Sequence, residues 1–231
     1  MKYLRKFATQ SDYDAYVESG METPNVSLVA ENYTTFFTKK EKEIPLGVFI
    51  QHIDGSLYTA DEWTAKGFSN DEANGVAVSA EECKFVVAKE YIMSKVWNTL
   101  QYAAIDSLPF ISSSADAKND FDGISNTAIL AVFDTYGAAY TCVNYIFPNG
   151  KNGYLPALGE LDVLGKNYQS VESALNVLGG TLKFYSNGSN DLWSSTQYND
   201  TRGWCISIPN GNVSEEGKNA NIQVLPFCPI R

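Results

Sequence analysis

Between residues 46 and 88 the apolar residues fall in short runs rich in Val, Ile and Phe. Val48-Phe49-Ile50 leads through Gln51-His52-Ile53 into Asp54-Gly55, the strongest short hairpin signal, and on to Ser56-Leu57-Tyr58. Gly75-Val76-Ala77-Val78 and Lys84-Phe85-Val86-Val87-Ala88 predict a second strand pair. The polar stretch between Leu108 and Gly123 reads as a loop. Beyond it the period lengthens. Ile129, Phe133, Tyr136, Tyr140 and Val143 recur at helical spacing and predict one helix over residues 126–145, ended by Phe147-Pro148-Asn149-Gly150. A second helix starts after Pro156 with Leu158, Leu161 and Leu164 inward. A third carries Val171, Ala174, Leu175 and Leu178 and stops at Gly179-Gly180. Only short strands follow, over 192–194, 204–208 and 222–226, separated by Asn, Gly and Ser. Strands, then helices, then strands with long irregular connections predict an α+β fold of small antiparallel sheets and two to three helices. No internal repeat is present.

The first 43 residues follow a different pattern. Ser11-Asp12-Tyr13-Asp14 is a capping-box signal for a short helix to Ser19, stopped by Gly20. Val26-Ser27-Leu28-Val29 and residues 33–37 are strand candidates, and Lys39-Lys40-Glu41-Lys42-Glu43 is a solvated connector. A piece this small cannot bury a core alone. Residues 1–43 therefore read as an attachment segment, docking to a particle or a neighbouring subunit, and 44–231 as the main domain.

Charge narrows the partners. Lys and Arg number 17 against 27 Asp and Glu, a net charge of -10. Such a surface repels phosphate backbones and anionic lipid heads, so nucleic acid and membranes are not expected partners. No run approaches the ~20 apolar residues of a membrane span. Polar Gln10, Ser11, Asp12 and Asp14 stand where a signal-peptide core would be apolar, so cytosolic synthesis is expected. Four cysteines, Cys83, Cys142, Cys205 and Cys228, have no C-x-x-C spacing and are expected as buried thiols.

The chemistry-bearing residues point away from catalysis. His52 is the only histidine and sits mid-strand, so a Ser-His-Asp triad or a Cys-His pair would have to use it. Asp116, Asn119, Asp120 and Asp122 offer oxygen ligands, but not at EF-hand spacing, and an ordinary polar loop is the simpler reading. Glu160 and Asp162 read as solvated carboxylates of a surface helix. No Gly-rich phosphate loop occurs. No metal and no cofactor are expected.

The last third carries the informative motifs. Leu155-Pro156-Ala157-Leu158-Gly159-Glu160-Leu161 precedes Leu192-Trp193-Ser194-Ser195-Thr196-Gln197-Tyr198, then Gly203-Trp204, then Val224-Leu225-Pro226-Phe227-Cys228-Pro229-Ile230-Arg231. In this order they resemble the C-type lectin-fold variable proteins of diversity-generating retroelements, especially those of gut Bacteroidales and their phages. Ala138-Ala139-Tyr140-Thr141-Cys142 and residues 119–127 are similar to that family too, and the likeness extends over about 44–231. The resemblance implies a scaffold for a hypervariable region at about 190–231, written by error-prone copying at template adenines. It implies a ligand-binding surface of Gln197, Asn199, Asp200, Thr201, Arg202, Cys205, Ser207, Asn210, Asn212, Ser214, Asn219, Ala220, Asn221 and Gln223. Adaptable polar residues beside rigid aromatics suit such a surface. Trp193 and Trp204 are implied as core, and Glu160 as scaffold.

Calcium-dependent sugar-binding lectins carry Glu-Pro-Asn or Gln-Pro-Asp, then Trp-Asn-Asp. Here Ile208-Pro209-Asn210 and Tyr198-Asn199-Asp200 lack the carboxylate and reverse the order. The expected function is non-catalytic binding of a protein or glycan receptor on a bacterial surface. Display would be on a phage particle, with the bacterial cell surface as the alternative. The rival readings are a structural particle component and a formylglycine-generating-type enzyme using a pair such as Cys205 and Cys228.

Overall fold

The computed structural model describes residues 44–100, 104–180, 182, 184 and 191–230. By its contacts the chain divides into two units, Met1–Ile44 and Pro45–Arg231. The attachment segment expected over 1–43 lies outside the described residues.

The first predicted hairpin forms β1 (Gly47–His52) and β2 (Leu57–Tyr58), with Gly55 at the positive φ its turn needs. The second predicted pair is β3 (Ala73–Ser79) and β4 (Lys84–Val87). These join a C-terminal strand, β10 (Phe227–Pro229), in a five-stranded antiparallel sheet of order β10-β4-β3-β1-β2. A second sheet has the order β5-β9-β6-β7-β8. Its strands are β5 (Ile92–Lys95), β6 (Asp191–Gln197), β7 (Arg202–Ser207), β8 (Asn212–Gly217) and β9 (Ile222–Val224). All its pairings are antiparallel except β6 with β9. The structure is thus an α+β domain of two small, mainly antiparallel sheets.

Six α-helices are described: α1 (Ala60–Lys66), α2 (Ser114–Ala117), α3 (Gly123–Phe133), α4 (Ala138–Val143), α5 (Leu158–Lys166) and α6 (Tyr168–Val177). In α5 and α6 the expected inward residues Leu158, Leu161, Leu164, Val171 and Leu175 are fully buried. They pack between the sheets with Val76, Phe85, Trp204, Ile206 and Phe227 in the larger core. A smaller core holds Trp97, Leu130, Ala138, Cys142, Trp193, Cys205 and Val224. The second sheet therefore has apolar side chains on both faces: Leu192 and Ile206 face one core, Trp193 and Cys205 the other.

Four sequence expectations are corrected. Six helices are described where two to three were expected, because the one over 126–145 divides and the short capped helices α1 and α2 form. The helix expected over 126–145 is two helices, because Asp134 and Gly137 break it. The Asp134 carboxylate accepts hydrogen bonds from the Thr99 amide (2.6 Å), the Thr99 hydroxyl (2.9 Å) and the Tyr136 amide (2.9 Å). A Cβ on Gly137 would lie 2.6 Å from Asp134 Oδ2 and 2.7 Å from the Trp97 carbonyl. The redirected chain leaves Phe133 and Tyr136 exposed instead of inward, and buries Ala138, Ala139 and Cys142. The loop expected over 108–123 contains α2, capped by the Ser113 hydroxyl. Glu160 is buried instead of solvated.

The helix α1, which the periodicity of 46–88 does not mark, is set by its caps. Thr59 Oγ1 accepts from the Glu62 amide (3.2 Å), Glu62 returns the bond to the Thr59 amide (2.8 Å), and Gly67 ends the helix at φ 66°.

The depth of the smaller core gives a direct test. Trp193→Ala should lower unfolding free energy by ~3–5 kcal/mol, as a large-to-small core change. Tyr136→Ala, at an exposed position, should stay within about 0.5 kcal/mol. Denaturant melts of the two variants compare them; equal losses would mean that Trp193 is not a core anchor.

Candidate ligand-binding surface

The C-terminal third builds its surface from three tight connections around β7 and β8. Between β6 and β7 the amides of Tyr198 and Asn199 donate to the Arg202 carbonyl. Asn199 Oδ1 accepts from the Thr201 amide (2.9 Å), the Thr201 hydroxyl (3.1 Å) and the Arg202 amide (2.8 Å). Asn199 therefore shapes the turn, as Asn does where its side chain mimics a backbone acceptor. Asp200 and Arg202 project from it into solvent. Between β7 and β8, cis-Pro209 leads to Asn210 and Gly211, the latter at φ 69°. Between β8 and β9, the Lys218 amide donates to the Thr201 carbonyl (2.9 Å), tying this turn to the first.

β8 is the outer strand of its sheet and pairs with β7 in unbroken register from Arg202–Gly217 to Ser207–Asn212. Of the expected surface residues, Asp200, Arg202, Asn210, Asn212, Asn219 and Asn221 are exposed. Asn199, Thr201, Ser207, Ser214, Ala220 and Gln223 are half-buried. The remaining two belong to the interior. Gln197 donates to the carbonyls of Ile105 (3.2 Å) and Leu108 (3.0 Å) and accepts from the Ile105 amide (3.1 Å), so it stitches the 104–111 segment to β6. Cys205 faces the smaller core, its Sγ 3.1 Å from Ser214 Oγ. Burial pushes that thiol up to about 12. Neither can meet a ligand at the surface, and a polar or thiol side chain in the sequence does not disclose which face of a strand it occupies.

Beneath this surface lies a framework of buried polar groups. Trp97 Nε1 donates to the Ser194 carbonyl (2.6 Å), Trp193 Nε1 to Lys95 (2.9 Å) and Trp204 Nε1 to Ile111 (2.7 Å). Lys218, which sequence reasoning left unassigned, is fully buried. Its ammonium donates to Gln197 Oε1 (2.7 Å) and lies 4.7 Å from the centre of the Trp97 ring. Desolvation pulls this lysine down to about 8, opposed by the charge of Asp200. Gly203 is required here, because a Cβ would come within 2.9 Å of Trp97 Nε1.

The Ser-Ser-Thr of the sequence motif is joinery as well. Ser194 Oγ donates to the Trp204 carbonyl (2.8 Å), and the Ser195 amide to Pro156 (2.8 Å). Thr196 Oγ1 accepts from the Leu158 amide at the start of α5 (2.9 Å) and donates to Asp120 (2.8 Å). The other Asp120 partners are Asn126 Nδ2 (3.0 Å) and the Asp122 amide (3.0 Å). Of the oxygen ligands that the sequence offers here, the Asp120 carboxylate thus organises a chain crossing. Among the described residues, no group of three His, Cys, Asp or Glu could hold a metal ion. Glu160 accepts from the Tyr154 hydroxyl (2.8 Å) and the Ala157 amide (2.7 Å). Burial raises its carboxyl to about 7.

The thiols and the histidine are separated. All four cysteines are thiols outside any disulfide, and Cys205 and Cys228 lie in different cores. His52 closes the first hairpin, with Nδ1 3.2 Å from the Asp54 amide, and packs its ring 5.1 Å from Phe68.

Set against known proteins, the domain is similar in fold to a fimbrial protein from Bacteroides ovatus, with a TM-score of 0.55 and 15% sequence identity. The match covers 80% of this chain and 48% of that one, so the chain spans about half the length of its neighbour. No protein-family model and no curated protein matches the chain.

The two kinds of polar position should separate in experiment. Asn199→Ala removes the acceptor of three donors and should cost about 1 kcal/mol, whereas Asn212→Ala should stay within about 0.5 kcal/mol. Equal effects in urea melts would show that Asn199 does not hold the turn.

Glu160 adds a pH dependence of known sign. Its carboxyl sits at about 7 in the fold against an ordinary 4.5, so the folded chain keeps a proton that the unfolded chain releases. The stabilising contribution is complete below pH 4.5 and is lost as the pH rises through 7. Glu160→Gln should remove this decline, which is on the order of 3 kcal/mol. Melts across that interval test it, and an undiminished slope in the variant would assign the proton to another group.

Proposed function

We propose that this chain is a non-catalytic receptor- or ligand-binding protein, with a diversified C-terminal hairpin displayed on a C-type lectin-like scaffold. One observation carries the reading. The exposed side chains of 200, 202, 210, 212, 219 and 221 sit at the tips and outer edge of β7–β8, while their neighbours Trp204, Cys205, Ile206 and Lys218 are buried. A surface arranged in this way can change its chemistry without disturbing the core that presents it. The return of β10 to the first sheet supports the scaffold role, since it anchors the far end of the variable region. The separation of Cys205 from Cys228 disfavours chemistry that needs a cysteine pair. The recognised partner is a protein or glycan receptor on a bacterial surface, and residues 1–43 attach the domain to a particle or a neighbouring subunit.

The likeness to a fimbrial protein favours a second reading of where display occurs, namely the bacterial cell surface instead of a phage particle.

Sister copies of the gene provide the test. They should differ at Asp200, Thr201, Arg202, Asn210, Asn212, Ser214, Asn219 and Asn221, and agree at Trp193, Ser194, Ser195, Gln197, Trp204, Cys205 and Lys218. A near-copy of the 3′ codons, mismatched at adenines beside a reverse transcriptase gene, should accompany them. Substitutions spread evenly over 44–231 would sink the reading.

A further inference from the structure

The edge of the second sheet opposite β8 carries a different feature. β5 is the outer strand there, and a groove of about 470 Å³ opens between it and α4. Ile92, Lys95, Tyr136, Tyr140, Asn144 and Tyr145 contribute to its walls. Its volume lies within the ordinary range of small-ligand sites.

The groove is held rigidly. Asp134 fixes the turn that presents Tyr136, and Gly137 brings that turn against the Trp97 backbone. The α4 entry is tied to the end of β5 by the Ala138 amide donating to the Val96 carbonyl (2.9 Å). Asn144 Nδ2 donates to the Tyr140 carbonyl (2.8 Å), which sets the carboxamide and leaves its oxygen as an acceptor. Tyr145 packs edge-on against Phe147, at 5.0 Å.

The Thr141 hydroxyl donates to the Gly137 carbonyl (3.0 Å) and keeps its oxygen as an acceptor, while the tyrosines and Lys95 are unspent. Tyr136 is 76% exposed and Tyr140 37%, a large aromatic area to leave in water. Among the described residues, neither hydroxyl and no atom of the Lys95 ammonium has a hydrogen-bond or ion-pair partner. A chain of net charge -10 has set a cation without a counter-ion among aromatic rings, a carboxamide and the hydroxyls of Thr135 and Thr141.

We propose that this groove is a second binding site, which takes a carboxylated sugar residue of a glycan. The C–H face of the sugar ring stacks on a tyrosine face, its hydroxyls meet Asn144 and the threonines, and its carboxylate pairs with Lys95. The surface is wrong for nucleotides, since one lysine faces no second cation and no run of backbone amides. It is too polar for a lipid chain. The site is independent of the β7–β8 surface and does not rest on its diversification.

The full chain can be titrated by calorimetry with a disaccharide ending in glucuronic acid and with the matching neutral disaccharide. The acidic sugar should bind at least about tenfold more tightly, the equivalent of one charge-assisted contact. Tyr140→Ala should weaken binding by at least about tenfold, and Tyr136→Ala, whose side chain is mainly in solvent, gives the same reading if Tyr140→Ala does not fold. Lys95→Met should abolish the preference for the acid and keep the neutral affinity. Val132→Ala, at an exposed position that belongs to neither surface, should change nothing. Binding that survives both tyrosine variants, an acid preference that survives Lys95→Met, or no binding of either sugar at millimolar concentration overturns the proposal. None of these outcomes bears on the hairpin surface, whose test is the pattern of substitution.

Discussion

The structure depends on pinning irregular chain to the second sheet through buried indole N–H groups. Three tryptophans each place a large apolar ring in or beside a core and use the single donor on that ring to hold a carbonyl of another segment. Through these bonds Trp97 and Ile111 are held onto β6 and β7, although the described residues 96–100 and 104–113 form no helix or strand. Buried carbonyls without partners are costly, so a long connection can cover a core only if something satisfies them. The indoles and the Gln197 carboxamide do so for Ser194, Ile111, Ile105 and Leu108.

That framework gives the two edges of one sheet different shapes. At the β8 edge the turns expose polar side chains over buried neighbours. At the β5 edge, α4 and its entry turn stand away from the strand and leave a walled groove. The sheet between them is committed on both faces, and Lys218 shows how tightly. An ammonium is buried here where an amide oxygen and an aromatic face receive it. The surface can then vary without loosening the joint below.

The sequence made much of this legible. Hairpin chemistry at Asp54-Gly55, β-branched runs at 76–78 and 84–88, and leucine spacing in 158–164 each express a local preference that agrees with the packed result. The tail motif also separated Trp193 and Trp204, as core, from the Asn-rich turns between them. Errors came where a local pattern lacked a local cause. The aromatic spacing of 129–143 imitates one amphipathic helix, but Thr99 claims Asp134 from a distance and Trp97 crowds Gly137, so the helix breaks and its tyrosines turn outward.

Residue type and spacing alone determined the two hairpins of the first sheet and the helix seeds at 158–164 and 171–178. Tertiary structure alone decided which polar residues are interior. Gln197, Cys205, Thr196, Lys218 and Glu160 have nothing in their neighbouring sequence to mark them as buried; each is satisfied by partners brought in from other segments or another turn of chain. The physical reason is that a polar group's fate depends on who can bond to it once water is gone, and for these residues packing supplies that partner.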